Sequence, residues 1–505
     1  MKKLVCAVAI FAACGSFFAK INESLYKENV IKTEPCEWQK VSVAENIYKY
    51  RGEITYDQMK EDLASLKYIL ETCYSGYEAA CQRGMNLDTV INDIEEKFSG
   101  QDYVQSRNLA KAFYEETRKY IVDGHFSIWL GQESLRFCTH SYVFYSDFYI
   151  ENDEADLFSS EEGELFPYYK DGKQKLRVGR FSENSVTEVS FKFKGSSKTV
   201  PVKLFPCDIP SMKPVLKEKE SPNTAYIRLE SFMPDGTKAS EINFEKWSNA
   251  GLRYLNKSNV IVDLRTNNGG FPEYVMKFLA GFVFDYSKID STEIYEKCNN
   301  SISLKRYELE DGCYKIISPG ILQVHKLNFE RDKIYKKKYK NYVSNITKGD
   351  EEYLKLITKW EKIPSKIYTR ITLREENLKG LPFPNKPAFN GRMYIILDRN
   401  SVSAAEEFVV FAKKFLGEEC VTVIGENSFG SIEFAALRDY TLPNSELSFH
   451  VASCTYSSVM NRISNWHGEG RGVYPDVWST DEDLLETLVS VTGDGKLKEV
   501  LGDLK

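Results

Sequence analysis

Histidine is scarce in this chain: five in 505 residues. Any histidine in a pointed local setting therefore merits attention. Glycine (30), proline (16) and cysteine (11) are too few for a collagen-like or disulfide-dense scaffold. There is no basic excess. Lys and Arg total 67 against 73 Asp and Glu, a net charge of −6. A mildly acidic chain lacks the broad positive field that binding to nucleic-acid backbones uses, which counts against that class of partner, and none is expected. Cysteines show neither CxxC nor zinc-finger spacing. Leaving out Cys6 and Cys14, nine remain. Cys73 with Cys81, or Cys298 with Cys313, have the spacing of local disulfides, and buried thiols fit equally well. Internal repeats and long low-complexity tracts are missing. After the first twenty residues, no run is apolar enough for a transmembrane helix.

What is present is a globular composition: 42% hydrophobic and 28% charged residues, with 31 Tyr and 30 Phe to fill large cores. The length predicts two to four domains. Residues 1–19 read as an export signal, with Lys2 and Lys3 before an apolar run from Leu4 to Ala13. Two endings fit: cleavage within Ala13–Ala19, or lipid attachment at Cys14 in Phe11-Ala-Ala-Cys-Gly15. The expected location is outside the cytoplasm: periplasmic, secreted or lipid-anchored at the cell surface. Residues 20–130 follow as an N-terminal helical module. Met59, Leu63, Leu66, Ile69, Leu70 and Cys73 recur every three or four positions, and helices are expected again over Asp88–Phe98 and Ser106–Val122. A strand is expected over His125–Leu130. Residues 131–222 are strand-rich, with a hairpin expected from Thr187–Lys194 and Thr199–Phe205 around a turn at Gly195–Lys198. From 223 to 505, strands at Val260–Leu264, Met393–Leu397 and Cys420–Ile424 alternate with helices at Glu241–Leu255 and Ala404–Leu416. That alternation predicts an α/β core. A polar insertion at about 287–388 interrupts it. Its basic run Arg331–Lys340 reads most simply as a solvated face, and a helix is expected over Glu351–Lys362.

Four segments carry chemistry. In Val260-Ile-Val-Asp-Leu-Arg-Thr-Asn-Asn-Gly-Gly270 a buried strand ends in a polar turn with two glycines. Such a turn either aims backbone N–H groups at an oxyanion or simply needs glycine for a positive φ. In Asp398-Arg-Asn-Ser-Val-Ser-Ala-Ala-Glu406 a strand passes into a helix with Ser403 at its start, where the dipole favours developing negative charge. The same serine with Glu406 three residues on also reads as a capping box. Asp123-Gly-His125 places a histidine between helix and strand. It is a general base or a structural histidine held by backbone. Trp466-His-Gly-Glu-Gly-Arg-Gly-Val-Tyr-Pro-Asp476 is a glycine-rich loop in which Glu469 either orients a base or is merely solvated.

Together and in this order, these blocks resemble the tail-specific (carboxy-terminal processing) serine peptidase family and its tricorn-type relatives. Ala225–Phe232, Gly425-Glu-Asn-Ser-Phe-Gly430 and Gly472-Val-Tyr-Pro-Asp476 add to the match. The resemblance implies a crotonase/Clp-protease-like core. The Ser-Lys branch of the family keeps its lysine just after the Phe-Gly of the Gly-Glu block, where this chain has Ser431. The tricorn-like branch instead implies Ser403 as nucleophile, His125 as base and Glu469 as its support. Its histidine follows a serine, and here that position is Gly124. Backbone N–H groups of Gly269 or Gly270 and of Ala404 would hold the oxyanion. The implied activity is hydrolysis of peptide bonds in a peptide or protein substrate, with no metal or organic cofactor. An ordinary imidazole base would give an acid limb at about pH 6 to 7. Residues 131–222 occupy the place of the family's PDZ module, but without a recognisable carboxylate-binding loop. A non-catalytic binding or scaffold protein on the same fold, for a hydrophobic ligand or a peptide, is the alternative.

Overall fold

The protein is described by a computed structural model covering residues 26–32, 42–44, 46–160, 162–209, 213–286, 292–309, 314–316, 333–334, 336–337, 367–373, 383–456, 463 and 465–502. The export segment with Cys14, Cys313, most of the basic run and the expected helix Glu351–Lys362 lie outside these residues. Two compact units divide the chain, and neither is continuous. The first comprises residues 1–138, 307–379 and 433–459; the second comprises 139–306, 380–432 and 460–505.

The first unit holds the helices expected near the N-terminus. Tyr56–Cys73 starts at a capping box, with Thr55 Oγ1 accepting from Gln58 N and Gln58 Oε1 accepting from Thr55 N. Its stripe Met59, Leu63, Leu66, Ile69, Leu70 and Cys73 is buried, as the periodicity requires. Leu87–Lys97 and Ser106–Thr117 pack with it. The last helix ends five residues short of the expected Val122. Thr117 turns its hydroxyl back onto the Phe113 carbonyl, and the chain runs on through Ile121 to a turn at Asp123. Strands Ser127–Leu130, Phe434–Thr441 and Ser448–Thr455 belong to the unit's antiparallel sheet. Cys73 is buried in this core and Cys81 is exposed, with no disulfide between them.

The second unit is the α/β body. A twelve-stranded mixed sheet contains five parallel neighbours: Thr224–Leu229, Asn259–Asp263, Arg392–Leu397, Val421–Gly425 and Val477–Trp478. The first two are buried along their whole length, and the third at every residue after Arg392. This explains their continuous apolar runs. Helix Ala404–Leu416 falls where the sequence predicts it. The expected Glu241–Leu255 helix is instead two, Lys238–Ser248 and Ala250–Tyr254, broken at Asn249, whose side-chain amide caps back onto the Glu245 carbonyl. The hairpin is Glu188–Phe193 with Ser196–Lys203, so its turn sits earlier than expected. Lys194 and Gly195, both at positive φ, make the tight two-residue turn that matches strand twist.

The parallel order fixes where chemistry can occur. Strands Asn259–Asp263, Arg392–Leu397 and Val421–Gly425 all end on the same side, and each runs directly into one of the polar segments singled out above. In open α/β sheets ligands bind at these carboxyl ends.

Candidate active site

Ser403 sits where the Arg392–Leu397 strand turns into the Ala404–Leu416 helix. Its φ of 57° and ψ of −112° are foreign to a serine, a strain of about 1–3 kcal/mol that surrounding contacts must hold. Those contacts come from two directions. Asp398, fully buried, accepts from Thr266 N (3.1 Å), Asn400 N (2.9 Å) and Ser401 Oγ (3.1 Å). One carboxylate thus ties the glycine turn to the serine turn. Burial pushes its pKa up to about 6, against these hydrogen bonds. Val402 N donates to the Asn267 carbonyl at 2.9 Å, a second tie between the turns.

Glu406 is the other anchor. It is fully buried and accepts from Ser403 N (2.8 Å), Ser428 Oγ (2.6 Å), Gly430 N (2.8 Å) and Ser431 N (3.0 Å). Burial raises its pKa, and these donors oppose the shift. The capping-box spacing was legible, but not that this carboxylate gathers the segment after the next strand. Ser431 contributes its backbone N–H here.

Gly269 lies against the serine. A Cβ there would stand 2.7 Å from the Val402 carbonyl and 2.8 Å from Ser403 Cβ, and its φ is 84°. Only glycine allows this approach. Its N–H is committed to Asn267 Oδ1 at 2.9 Å. Gly270 bridges to Phe232, where an added Cβ would stand 2.3 Å from the Phe232 carbonyl carbon. Ala404 is the first helical residue after Ser403.

Glu469 belongs to the same unit. Its carboxylate accepts from Ile432 N at 2.8 Å. The loop around it lies on Gly430, with Gly470 N donating to the Gly430 carbonyl at 2.9 Å. Ser403, Ala404, Gly269, Gly270 and Glu469 are therefore set in one connected hydrogen-bonded body.

His125 belongs to the first unit. Asp123 shapes its turn by accepting from His125 N (2.8 Å) and Phe126 N (3.2 Å). Burial raises Asp123 to about 6, with those bonds and Tyr74 opposing. The His125 ring is hydrogen-bonded to the Phe434 carbonyl. Burial first, then the charges of His450 and Arg136, push its pKa down to about 4. The acid limb expected for an ordinary imidazole therefore moves. A base must be neutral to act, so activity dependent on His125 should persist through pH 6 and fall only as pH drops towards about 4. A pH profile of kcat/KM checks this, and a limb at pH 6 to 7 would contradict it.

Two further histidine sites were not singled out by sequence. His450 Nδ1 pairs with Asp439 Oδ1 at 2.6 Å, directly across the strand pair. His140 is buried in the second unit beside Phe429. No local pattern announces either one, because their partners are distant in the chain or set by strand register.

Among the described residues, no group of His, Cys, Asp and Glu could hold a metal ion, and no helix is long and apolar enough to cross a membrane.

Residues 223–478 match the model of Peptidase family S41. Similar solved structures include a protein from Parabacteroides merdae proposed to be a peptidase, at 12% identity, covering 87% of this chain and 97% of that one, with a TM-score of 0.40. Mature CPAF complexed with lactacystin is 12% identical, covering 88% and 99%, with a TM-score of 0.40. The photosystem II D1 C-terminal processing protease is 12% identical, covering 86% and 96%, with a TM-score of 0.32. No curated protein matches the chain.

Proposed function

The chain belongs to peptidase family S41, and from that premise we propose that it is a serine peptidase acting by nucleophilic acyl transfer. His125 takes the proton from Ser403 Oγ as the oxygen attacks a peptide carbonyl. The C–N bond breaks, His125 returns the proton to the leaving amine, and an acyl-Ser403 ester remains. Water, deprotonated by the same imidazole, then releases the second product and regenerates the serine. Glu469 balances the imidazolium charge. The Gly270 and Ala404 N–H groups receive the oxyanion, since the Gly269 N–H is engaged.

The observation that carries this reading is the conformation of Ser403. A serine at φ 57° on a strand-to-helix turn, pressed against a glycine turn, its N–H held by buried Glu406 and its turn tied to the glycine turn by buried Asp398, is hard to explain as a helix cap alone. A fluorophosphonate probe should label the full-length protein, and Ser403→Ala should abolish labelling while preserving the fold. Undiminished labelling of that variant removes the reading. In the same preparation, Glu469→Gln keeps an acceptor for Ile432 N but loses the charge. Casein hydrolysis should then fall mainly in kcat, and an unchanged kcat would leave Glu469 as a loop anchor only.

The substrate class is a peptide or protein. We place its site of action outside the cytoplasm, on the strength of the Lys2-Lys3 start and the apolar run after it. Mass spectrometry of the mature N-terminus from the native host checks this. A retained Met1 would exclude export by cleavage or lipidation.

A further inference from the structure

His140 has no part in the chemistry above, yet it is 3% exposed and wedged between two loops of the site's own unit. Its Nδ1 lies 3.0 Å from the Phe429 carbonyl oxygen. That oxygen can only accept, so Nδ1 carries the proton and Nε2 is left as a bare acceptor. Nε2 is buried with no hydrogen-bond partner among the described residues. The ring stacks on Phe429, with centroids 5.4 Å apart and planes 9° off parallel, and meets Tyr142 edge-on. Burial, joined by the charge of Arg399, pushes the imidazole down to about 4, against its bond to Phe429. It is therefore neutral at pH 7.

Packing does not account for a histidine here. Phenylalanine would stack as well and would not bury an unsatisfied nitrogen, which is unfavourable. What histidine adds is the donor to the Phe429 carbonyl. Phe429 N donates to the Ser401 carbonyl at 3.0 Å. The next two N–H groups, of Gly430 and Ser431, go to Glu406, which also receives Ser403 N. On the other side, Ser141 N donates to the Gly470 carbonyl at 2.8 Å, and Asn427 Nδ2 reaches both the Ser141 and Arg471 carbonyls. The chain of bonds from His140 thus runs to the backbone of the strained serine, and its neighbour holds the loop that carries Glu469.

We infer that His140 is a positioning residue for the Ser403 nucleophile, acting through the Phe429 carbonyl to fix the Phe429–Ser431 segment on which Glu406 and Ser403 depend. The inference rests on the reading of Ser403 as nucleophile.

Two variants of the full chain separate donor from ring. His140→Phe keeps the stack and removes the donor. His140→Gln offers a side-chain N–H and removes the ring. Casein hydrolysis is measured as kcat and KM, with thermal unfolding and Ser403→Ala alongside. The expected result is a fall of about tenfold or more in kcat for His140→Phe, a KM within about twofold, and recovery of most of kcat in His140→Gln, the scale of one lost hydrogen bond. Full kcat in His140→Phe overturns the inference, as does equal loss in both variants. If His140→Phe does not fold, His140→Gln decides: near-wild-type kcat supports the donor role and a large loss refutes it. If Ser403→Ala itself retains hydrolysis, the underlying reading fails instead.

Discussion

Replacing His125 by alanine should lower kcat for casein by up to about six orders of magnitude, the scale seen when the histidine base is removed from a serine-histidine pair. The serine hydroxyl is a poor nucleophile without a proton acceptor, and where the resemblance implies the lysine of a Ser-Lys dyad this chain has Ser431, whose hydroxyl is no base. His125 is suited to the task. Its turn is set by Asp123, its ring is oriented by the Phe434 carbonyl, and its depressed pKa keeps it neutral at working pH. The substitution leaves the backbone N–H bonds to Asp123 intact but removes the ring's packing and its bond to the Phe434 carbonyl, so a stability loss of about 1–3 kcal/mol is expected. Loss of activity far beyond what that destabilisation explains, in a protein still folded at the assay temperature, is the predicted signature. Full turnover of His125→Ala would assign the base elsewhere.

Replacing Glu406 by alanine should have the largest effect on stability. Four donors converge on this carboxylate: three backbone N–H groups and the Ser428 hydroxyl. Each buried donor left without an acceptor costs about 1–3 kcal/mol. Water entering the space would recover part of that, so a loss of at least about 3 kcal/mol in urea unfolding is expected. Probe labelling should vanish with it, because Ser403 N is one of the four donors. Glu406→Gln fills the same volume but aims an amide NH2 at N–H groups. It should fold better than the alanine variant and still label poorly. A stable, fully labelled Glu406→Ala would reduce Glu406 to an ordinary helix cap.

The contrast between these residues explains what the sequence could disclose. Helix Ala404–Leu416 and the buried strands were legible because a period of 3.6 or an unbroken apolar run is a local property. Ser403 was legible as a candidate because its place at a strand-to-helix junction is also local. Its positive φ was not, since the strain is imposed by Gly269, Asp398 and Glu406 together. Glu406 shows the limit most clearly. The spacing Ser-x-x-Glu correctly predicted its bond to Ser403 N, while its bonds to Ser428, Gly430 and Ser431 arise only once the Val421–Gly425 strand lies beside Arg392–Leu397. His140 was invisible for the same reason, its partner Phe429 being 289 residues away. Errors at element ends had local causes that composition conceals: the Asn249 cap that splits one helix, the early stop at Thr117, and the Lys194-Gly195 turn that shortens a hairpin.

The central claim is that Ser403 forms the covalent acyl bond. The direct measurement is tandem mass spectrometry of the fluorophosphonate-treated full-length protein, locating the phosphonylated residue within the peptide that carries Ser401 and Ser403. The adduct is expected on Ser403 Oγ and not on Ser401, whose hydroxyl is occupied by Asp398 and the Leu264 carbonyl. An adduct on Ser401, Ser428 or Ser431, or a protein that stays unlabelled while it hydrolyses casein, would contradict the claim.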